Sequence, residues 1–472
     1  MPDAPRPKQV LWITTDHQRH DCIGANGNPA ILTPHLDRLV QGGVSFDDCW
    51  VQNPVSMPSR ASFMTGLYPT QTGVTWNGHE LPHHHKTCAH LFGAGGYHTA
   101  QIGKLHFQCH LDHDLWLQPR HPYGFEYFVP SEEPGCYEDA YGTWLRSEHP
   151  QFREVMRVGR AGNPNRDAWV CTAVDAPSDV SHAGFCAEQT MRYLRMKPAE
   201  APKFIHMGIY APHPPLNPPK AILERYAGVE IPAPHAQAGE DTAMPPSMQR
   251  AMRRACAGRS PAELRNWRAH FYAMCTALDE QVGRVLAFLE ERGELADTLI
   301  VFQSDHGDMA GDHGLMSKGH VTLYPEVMRV PLVFHWPRGI PGGKRAAGLV
   351  EAVDILPTML DLAGAPVPAE CSGRSFAQGL RTGNPAGTRE DVLAQSGGEP
   401  GRLTCMLRTA GHHYLNYGPG QEVLFDLRED PRMYANRAAD PACRGALAEM
   451  RERMLHRMLA AAEPAVKRVH AY

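Results

Sequence analysis

The segment Leu299-Ile300-Val301-Phe302-Gln303 is a short apolar run that ends directly at a polar group, Ser304-Asp305-His306-Gly307. A continuous apolar run of this length, followed by polar residues and a glycine, predicts a strand that is buried on both faces. Strands of this kind are typical of parallel sheets whose two faces are covered by helices. The segment therefore predicts an α/β fold with polar side chains at the carboxyl end of one strand.

Three other apolar runs have the same form, and each also leads into a polar cluster. The runs are 10–14, 99–103 and 204–209, and the clusters are Asp16-His17, Lys104-Leu105-His106 and Ala211-Pro212-His213. Ligand sites of open α/β sheets form beyond the carboxyl ends of the strands. We therefore expect the four clusters to converge on one site.

Helical patterns alternate with these runs and suggest how the chain is organised. Apolar residues recur at helical spacing over 34–42, 88–95, 184–196, 261–292 and 350–363. Segments 108–180 and 228–260 are irregular and read as insertions that set specificity.

We predict a catalytic domain over 1–370, with a large mostly parallel sheet flanked by helices. A smaller α+β domain with an antiparallel sheet and a helix over 441–461 is predicted for 371–472.

Composition excludes several classes of protein. The chain has 472 residues and a net charge of −5, which argues against nucleic acid as a partner. Its 12 cysteines form no CxxC pair and predict reduced thiols. The N-terminal residues are polar and proline-rich, and the first apolar run is too short for a signal peptide or a membrane span. These features predict a cytoplasmic protein with no membrane partner.

The segment Ser56-Met57-Pro58-Ser59-Arg60 places a hydroxyl just before a proline and an arginine. Proline is favoured in the first turn of a helix, and a helix N-terminus attracts anions. Ser56 is therefore a candidate nucleophile above an anion site. The alternative is a serine that only caps the helix.

The other clusters supply candidates for metal binding and for proton transfer. Asp16 and Asp305-His306 fit a divalent cation, with oxygen ligands suiting Ca²⁺, Mg²⁺ or Mn²⁺ and the imidazole favouring Mn²⁺ or another transition metal. His17 is either a fourth ligand or points away. Positive charge and proton transfer would come from Lys104, His106, His213 and Lys318. The alternatives are ordinary turns for the first group and solvated surface residues for the second, since the chain has 27 histidines.

These groups together fit hydrolysis of an ester of a tetrahedral oxyanion. A cation polarises the ester, Arg and Lys hold the nonbridging oxygens, and a histidine protonates the leaving oxygen. Lysines can occupy the space of a second cation, which favours a single metal ion.

The motifs resemble those of the sulfatases, within the alkaline phosphatase superfamily. Ser56-x-Pro58-x-Arg60 with Thr65-Gly66 resembles the nucleophile motif of that family, in its serine form, and Gly103-Lys104-x-His106 resembles the second motif. The set is completed in the family's order by Ala211-Pro212-His213, Ser304-Asp305-His306-Gly307, Gly314, Lys318 and a C-terminal Leu424-Phe425-Asp426-Leu427. The resemblance covers nearly the whole chain and implies an alkaline-phosphatase-like fold.

The resemblance also implies a mechanism. Ser56 would be oxidised to formylglycine by a maturing enzyme, and one hydroxyl of the hydrated aldehyde would attack sulfur in line. His213 and Lys318 would help the alcohol to leave, and His106 would deprotonate the second hydroxyl so that sulfate is expelled. Arg60 and Lys104 would hold the formylglycine and the sulfate, and Asn77 is a further substrate-binding candidate. Asp16, Asp305, His306 and residue 56 would hold the metal, with His17 as an added candidate.

Three departures from the family pattern leave alternatives open. Asp16-His17 and Asp305-His306 stand where many sulfatases have Asp-Asp and Asp-Asn, so that Ca²⁺ and Mn²⁺ both remain candidates. Ser56 can be formylglycine, unmodified serine or a replacement of cysteine.

The substrate is a sulfate ester or, alternatively, a phosphonate monoester or phosphodiester. A binding protein without turnover is the third reading. A homo-oligomer also stays open, with the tail 464–472 as a segment that could pack on a neighbouring subunit.

Overall fold

The computed structural model describes residues 5–109, 120–134, 138–156, 169–397 and 403–462. Within these residues the main sheet has eight strands: β1 (Gln9–Asp16), β2 (Val44–Trp50), β3 (His98–Gly103), β4 (Tyr127–Pro130), β5 (Lys203–Pro212), β6 (Thr298–Ser304), β7 (Arg329–His335) and β8 (Lys344–Glu351). β1, β5 and β6 are buried along their whole length, as their mostly apolar runs predict.

The strands of the main sheet lie in the order β4-β3-β5-β1-β6-β7-β2-β8. The pairs β3–β4, β3–β5, β1–β5, β1–β6 and β2–β8 are parallel, whereas β7 is antiparallel to both of its neighbours, β6 and β2. β2 therefore runs in the same direction as β1. The carboxyl ends of β1, β2, β3, β5 and β6 consequently lie along one edge of the sheet, where the four polar clusters follow their strands.

Helices cover the sheet and connect its strands. They are α1 (Pro34–Gly42), α2 (Ser56–Thr65), α3 (Pro69–Thr72), α4 (Cys88–Ala94), α5 (Ala140–Glu148), α6 (Arg153–Met156), α7 (His182–Met196), α8 (Lys220–Leu223), α9 (Pro246–Ala255), α10 (Pro261–Glu291), α11 (Pro325–Met328), α12 (Ile355–Ala363), α13 (Ala377–Thr382) and α14 (Arg444–Ala462). Two large clusters of buried apolar side chains separate the helices from the sheet. α10 begins with a capping box, in which the Ser260 and Glu263 side chains each accept from a backbone N–H of the other residue.

A second sheet lies in the C-terminal part of the chain. It consists of β9 (Asp391–Ser396), β10 (Thr404–Thr409), β11 (His412–Asn416) and β12 (Glu422–Asp426), in the order β12-β11-β10-β9, and its pairs are antiparallel. α14 packs on this sheet through Leu447, Met450 and Met454. The predicted fold class, a large mostly parallel sheet with a smaller C-terminal antiparallel sheet, is therefore confirmed. The division at residue 370 stays a prediction.

Some local predictions differ from the structure. The helix expected over 350–363 begins only at Ile355, because Val350 and Glu351 pair with Cys49 and Trp50 of β2 and so end strand β8. The predicted insertions contain α5, α6 and α9, and part of 108–180 lies outside the described residues, as does the tail 464–472. Among the helices that the structure describes, none combines the length and the apolar character needed to span a membrane.

Candidate active site

Ser56 lies at the edge of the main sheet where the parallel strands end. It follows β2 and is the first residue of α2, while the extended residue Val55 occupies the N-cap position and makes no side-chain cap. The Ser56 side chain is completely buried, and its Oγ lies 3.0 Å from Nε2 of His306 and 2.8 Å from Nζ of Lys318. The hydroxyl is therefore held by two of the candidate site side chains and is not used as a helix cap.

Asp16 and Asp305 come together because β1 and β6 are adjacent parallel strands. Asp16 ends β1, Asp305 follows β6, and both side chains are fully buried. With His306 they bring one ligand atom each to within 4.8 Å of one another. Nδ1 of His306 donates to the carbonyl of Gly307 at 2.8 Å, which leaves Nε2 with a lone pair towards the carboxylates. This donor set could hold a divalent cation.

His17 points into the same cluster, although its orientation was open from the sequence. Its Nδ1 lies 2.7 Å from a carboxylate oxygen of Asp308, and its Nε2 is buried without a hydrogen-bond partner among the described residues. The His17 ring lies 4.6 Å from the ring of His306 and 4.3 Å from that of His213. A histidine held at one nitrogen by a carboxylate and open at the other has the form of a metal ligand.

Two lysines surround the Asp16 carboxylate. Nζ of Lys104 lies 2.5 Å from one oxygen of Asp16, and Nζ of Lys318 lies 3.7 Å from the other. Burial alone would raise the pKa of Asp16, but the charges of Lys104 and Lys318 outweigh it and hold that pKa well below its ordinary value. Asp16 is therefore ionised, as a metal ligand has to be.

The imidazoles and Lys318 have shifted pKa values for the same reasons. Burial lowers the pKa of His306 to about 4 and holds those of His17 and His213 well below their ordinary value. Burial also lowers the pKa of Lys318, although Asp16 and Asp305 oppose that shift. Neutral imidazoles are the form that binds a cation, and a lysine with a lowered pKa gives up its proton more readily.

Arg60 is turned towards the sheet edge rather than towards the hydroxyl of Ser56. Its side chain is fully buried, and its Nε donates to Asp305 at 2.8 Å. Its terminal nitrogens donate to the carbonyls of Lys104 at 3.2 Å and of Thr15 at 3.3 Å. Arg60 thus fixes Asp305 and two strand ends relative to α2.

His213 lies at the rim of the cluster, where its side chain is partly exposed. Its Nδ1 lies 2.5 Å from the carbonyl of Pro214 and 2.8 Å from the hydroxyl of Tyr210, which itself donates to that carbonyl. Nδ1 therefore carries the proton, and Nε2 of the neutral ring is an acceptor. Lys104 lies over the Tyr210 ring, with Nζ 4.9 Å from its centre.

Asn77 and His106 border the site in different ways. Asn77 is exposed, and its Oδ1 accepts the backbone N–H of Met57 at 3.0 Å, directly beside Ser56. His106 follows β3 in the left-handed region of the backbone, with φ 61°, and its N–H donates to Glu132 at 3.0 Å. Asn77 therefore lies next to the nucleophile candidate, and His106 is fixed at its backbone.

Sequence reasoning missed Asp308 and Tyr210, which orient His17 and His213. Both lie close in the sequence to candidate site residues, since Asp308 follows Asp305 by three residues and Tyr210 precedes His213 by three. Proximity to a candidate ligand was the available signal. Proximity alone would not have identified them, because the hydrogen-bond partners of His17 and His213 depend on the backbone conformation of the loops.

The comparisons with known families agree with this architecture. The family model described as Sulfatase matches residues 8–365. A second model, described as N-sulphoglucosamine sulphohydrolase, C-terminal, matches residues 311–460. The two matches together cover both sheets.

Several characterised relatives are similar over almost the full chain. An arylsulfatase of Clostridium perfringens is 29% identical over 90% of this chain and 89% of its own length. The multifunctional alkaline phosphatase superfamily protein PehA of Trinickia caryophylli is 29% identical over 92% of each chain. The crystal structure of a phosphonate monoester hydrolase of Agrobacterium radiobacter superposes with a TM-score of 0.82 and 25% identity over 96% of each chain. Because the family model matches well over half of its residues, the chain belongs to the sulfatase family.

Proposed function

We propose that this protein hydrolyses sulfate esters, with residue 56 as the attacking group. The observation that carries the proposal is the position of the Ser56 hydroxyl, which lies between His306 and Lys318 beside the convergent Asp16 and Asp305 carboxylates. A nucleophile needs an environment that favours its deprotonated form, together with charge that stabilises the transferred group. The Lys318 ammonium, together with a cation at the carboxylates, would meet both requirements at this point of the sheet edge.

Asp16, Asp305 and His306 would hold one divalent cation, with His17 as an additional ligand. The fit rests on two carboxylates, on the Nε2 atom that His306 presents, and on the buried, unpartnered Nε2 of His17 among the described residues. The cation would polarise the sulfate and favour the deprotonated attacking oxygen. Carboxylates suit Ca²⁺ and Mn²⁺, and each imidazole shifts the preference towards Mn²⁺.

The attacking group at residue 56 is either the serine hydroxyl or formylglycine. Oxidation of serine to the aldehyde removes two hydrogens and requires a separate maturing enzyme. The hydrated aldehyde would supply a second hydroxyl, from which sulfate can be released. Asn77 would support either form, since its Oδ1 fixes the Met57 amide next in the chain.

Lys318 is our candidate for the proton donor to the leaving oxygen. Its ammonium already donates to Ser56 at 2.8 Å, and burial lowers its pKa, which favours proton transfer. Neutral His213 carries its proton on Nδ1, so its Nε2 can accept a hydrogen bond from the substrate or its alcohol but cannot protonate it. This division of roles refines the joint assignment that the family resemblance implies.

Lys104 and Arg60 would act on the Asp16 and Asp305 carboxylates rather than on the reacting group itself. Lys104 would balance the charge of Asp16, and Arg60 would keep the Asp305 carboxylate in place. His106 stays the proposed base for the second hydroxyl of formylglycine. Overall, water adds to the ester, the S–O bond to the alcohol breaks, and the products are the alcohol and hydrogen sulfate.

A phosphonate monoester or phosphodiester hydrolase is the second candidate. It is favoured by the similarity to the phosphonate monoester hydrolase of Agrobacterium radiobacter and by the imidazole ligand His306. Monoanionic sulfates and diesters share shape and charge, whereas a phosphate monoester is dianionic. The site is therefore expected to reject phosphate monoesters in both cases.

The experiment is a comparison of kcat/KM on one aryl group attached in turn to sulfate, phosphonate monoester, phosphodiester and phosphate monoester. The protein is loaded separately with Ca²⁺ and Mn²⁺. The highest kcat/KM on the sulfate is expected, and a higher value on the phosphonate would transfer the assignment to the second candidate. Metal binding without turnover of any ester would contradict both and favour a binding protein.

A further inference from the structure

A second cluster of metal-binding side chains lies outside the candidate active site. His235 belongs to the segment before α9, His313 to a 3-10 helix at Asp312–Gly314, and Glu326 to α11. One ligand atom from each of the three lies within 4.8 Å of the other two. The His313 side chain is 1% exposed, and Glu326 and His235 are 13% and 21% exposed. Three separate segments therefore meet at a largely buried point.

Both histidines are held at Nδ1 by an outer partner. Nδ1 of His235 lies 3.3 Å from the hydroxyl of Tyr434, and Nδ1 of His313 lies 3.2 Å from a carboxylate oxygen of Glu240. Nε2 is the nitrogen left for the interior of the cluster, and Nε2 of His235 lies 3.2 Å from Oε1 of Glu326. Metal-binding histidines usually have their second nitrogen fixed in this way by a neighbouring oxygen.

Two buried polar atoms of the cluster lack a hydrogen bond. Nε2 of His313 and Oε2 of Glu326 are both inaccessible to solvent and have no partner among the residues that the structure describes. Buried polar atoms are nearly always satisfied by hydrogen bonds, water or ions. One cation among the three side chains would satisfy both atoms together.

We propose that His235, His313 and Glu326 bind one divalent transition-metal ion of the zinc class. Two imidazole nitrogens and one carboxylate oxygen are ligands that Zn²⁺ and Co²⁺ favour over Ca²⁺. Asp312 is not available as a fourth ligand, because Arg19 and Arg268 bind its two oxygens at 2.7 and 2.6 Å. The fourth position would therefore be taken by water.

The role of this ion would be structural. The His313 N–H donates to the carbonyl of His235 at 2.7 Å, and Tyr434 brings a segment of the C-terminal part of the chain to the same point. The carbonyl of Glu326 accepts the N–H of Asp308, which orients His17. The ion would thus hold together the segments that contain His235, His313 and Glu326. These segments lie beside the loop that carries the active-site candidates, and the ion would not contact the reacting groups.

The alternative occupant is a proton, since protonated His235 can form an ion pair with Glu326. Metal binding and this ion pair are distinguished by titrating metal-depleted protein with Co²⁺ and recording its visible absorption. The titration is done with Asp305→Asn protein, which lacks one proposed active-site ligand. It is repeated with Asp305→Asn carrying His235→Gln, so that any Co²⁺ held by Asp16, His17 and His213 is subtracted. One equivalent with tetrahedral or five-coordinate absorption is expected.

The variants His235→Gln and Glu326→Gln test the assignment of the ligands. Each is expected to weaken Co²⁺ binding at least tenfold and to remove the absorption band, whereas the exposed His84→Gln is the matched control and should keep both. Elemental analysis of Zn²⁺-loaded wild-type protein should give one equivalent more than His235→Gln. Co²⁺ binding that is unchanged when His235→Gln is added to Asp305→Asn, or folded Asp305→Asn protein that binds no Co²⁺, would overturn the proposal.

Discussion

The ammonium nitrogen of Lys318 lies 2.8 Å from the hydroxyl oxygen of Ser56, although 261 residues separate the two in the chain. The contact arises because Ser56 follows β2 and Lys318 lies in the loop beyond β6, and both strands end at the same edge of the sheet. A donor this close to the attacking oxygen favours its deprotonated form and lies near the group on which negative charge develops during the reaction.

We therefore expect Lys318→Ala to lower kcat/KM by about 10²- to 10³-fold, since it removes one preorganised donor from the transition state. The melting temperature should change little, because Lys104 remains 2.5 Å from the Asp16 carboxylate and keeps that buried charge paired. Steady-state kinetics with an aryl sulfate measure the effect, and the exposed Lys344→Ala is the control. Wild-type kcat/KM in Lys318→Ala would contradict the role of this ammonium.

Asp305→Asn should abolish both stoichiometric metal binding at the active site and activity. The variant keeps the volume of the side chain but removes the charge that a cation and Arg60 both require. Arg60 would be left without its carboxylate, so a loss of stability of about 3–5 kcal/mol is expected as well. Elemental analysis and urea unfolding separate the two effects, with Asp297→Asn in a surface ion pair as the control. Full activity in Asp305→Asn would refute the metal assignment.

Buried neutral histidines should make the protein less stable in mild acid. His413 is a clear case, because burial lowers its pKa from 6.5 to about 3 while its Nε2 donates to the carbonyl of Leu323 at 2.8 Å. Between pH 6.5 and 3 the unfolded chain binds a proton at His413 and the folded chain does not. The free energy of unfolding therefore falls as pH falls, by about 1.4 kcal/mol per pH unit from this residue.

The variant His413→Gln removes this contribution. Its free energy of unfolding, measured in urea at pH 6.5, 5.5 and 4.5, should decline less steeply than that of wild type by that amount. The exposed His456→Gln on α14 should follow the wild-type curve. Parallel curves for wild type and His413→Gln would show that His413 does not titrate in this way.

The sequence predicts four strands of the main sheet from runs that lead into polar clusters. It misses β7, whose apolar run contains Pro331, and strands that carry charged residues. β1, β5 and β6 contain the mostly apolar runs 10–14, 204–209 and 299–303, and their places could be read directly. β2 carries Asp47 and Asp48 in its middle, and β8 begins with the exposed Lys344 and Arg345. Their strand character comes from pairing with neighbours that are distant in the chain, which a local pattern does not contain.

The candidate site could also be predicted only in part. That Asp16 and Asp305 meet could be predicted, because the carboxyl ends of parallel strands share an edge. Ser56 follows β2, which the sequence pattern did not reveal, so only the motif resemblance pointed to its place beside them. That Arg60 bonds Asp305 rather than facing the Ser56 hydroxyl could not, because it depends on how α2 is rotated against the sheet. The orientation of His17 towards the cluster depends in the same way on Asp308.

The chemical form of residue 56 can be measured by mass spectrometry of the peptide that contains it. If formylglycine is the working group, this peptide lacks two hydrogens relative to serine in an active preparation, and the modified fraction should track kcat across preparations. The control is the same peptide from Ser56→Ala, in which Ser59 is the neighbouring serine. If oxidation occurs only at residue 56, this peptide keeps all of its hydrogens. Unmodified serine in fully active enzyme would exclude the formylglycine mechanism.

The proposed mechanism requires residue 56 as the group that attacks the sulfate ester. The measurement is the release of sulfate from an aryl sulfate by metal-loaded wild type and by Ser56→Ala, each checked for the same melting temperature and metal content. We predict that wild type releases sulfate and that Ser56→Ala loses about 10³-fold or more in kcat/KM, because the substitution removes the oxygen proposed to attack sulfur. Wild-type kcat/KM in a folded, metal-loaded Ser56→Ala would contradict the account.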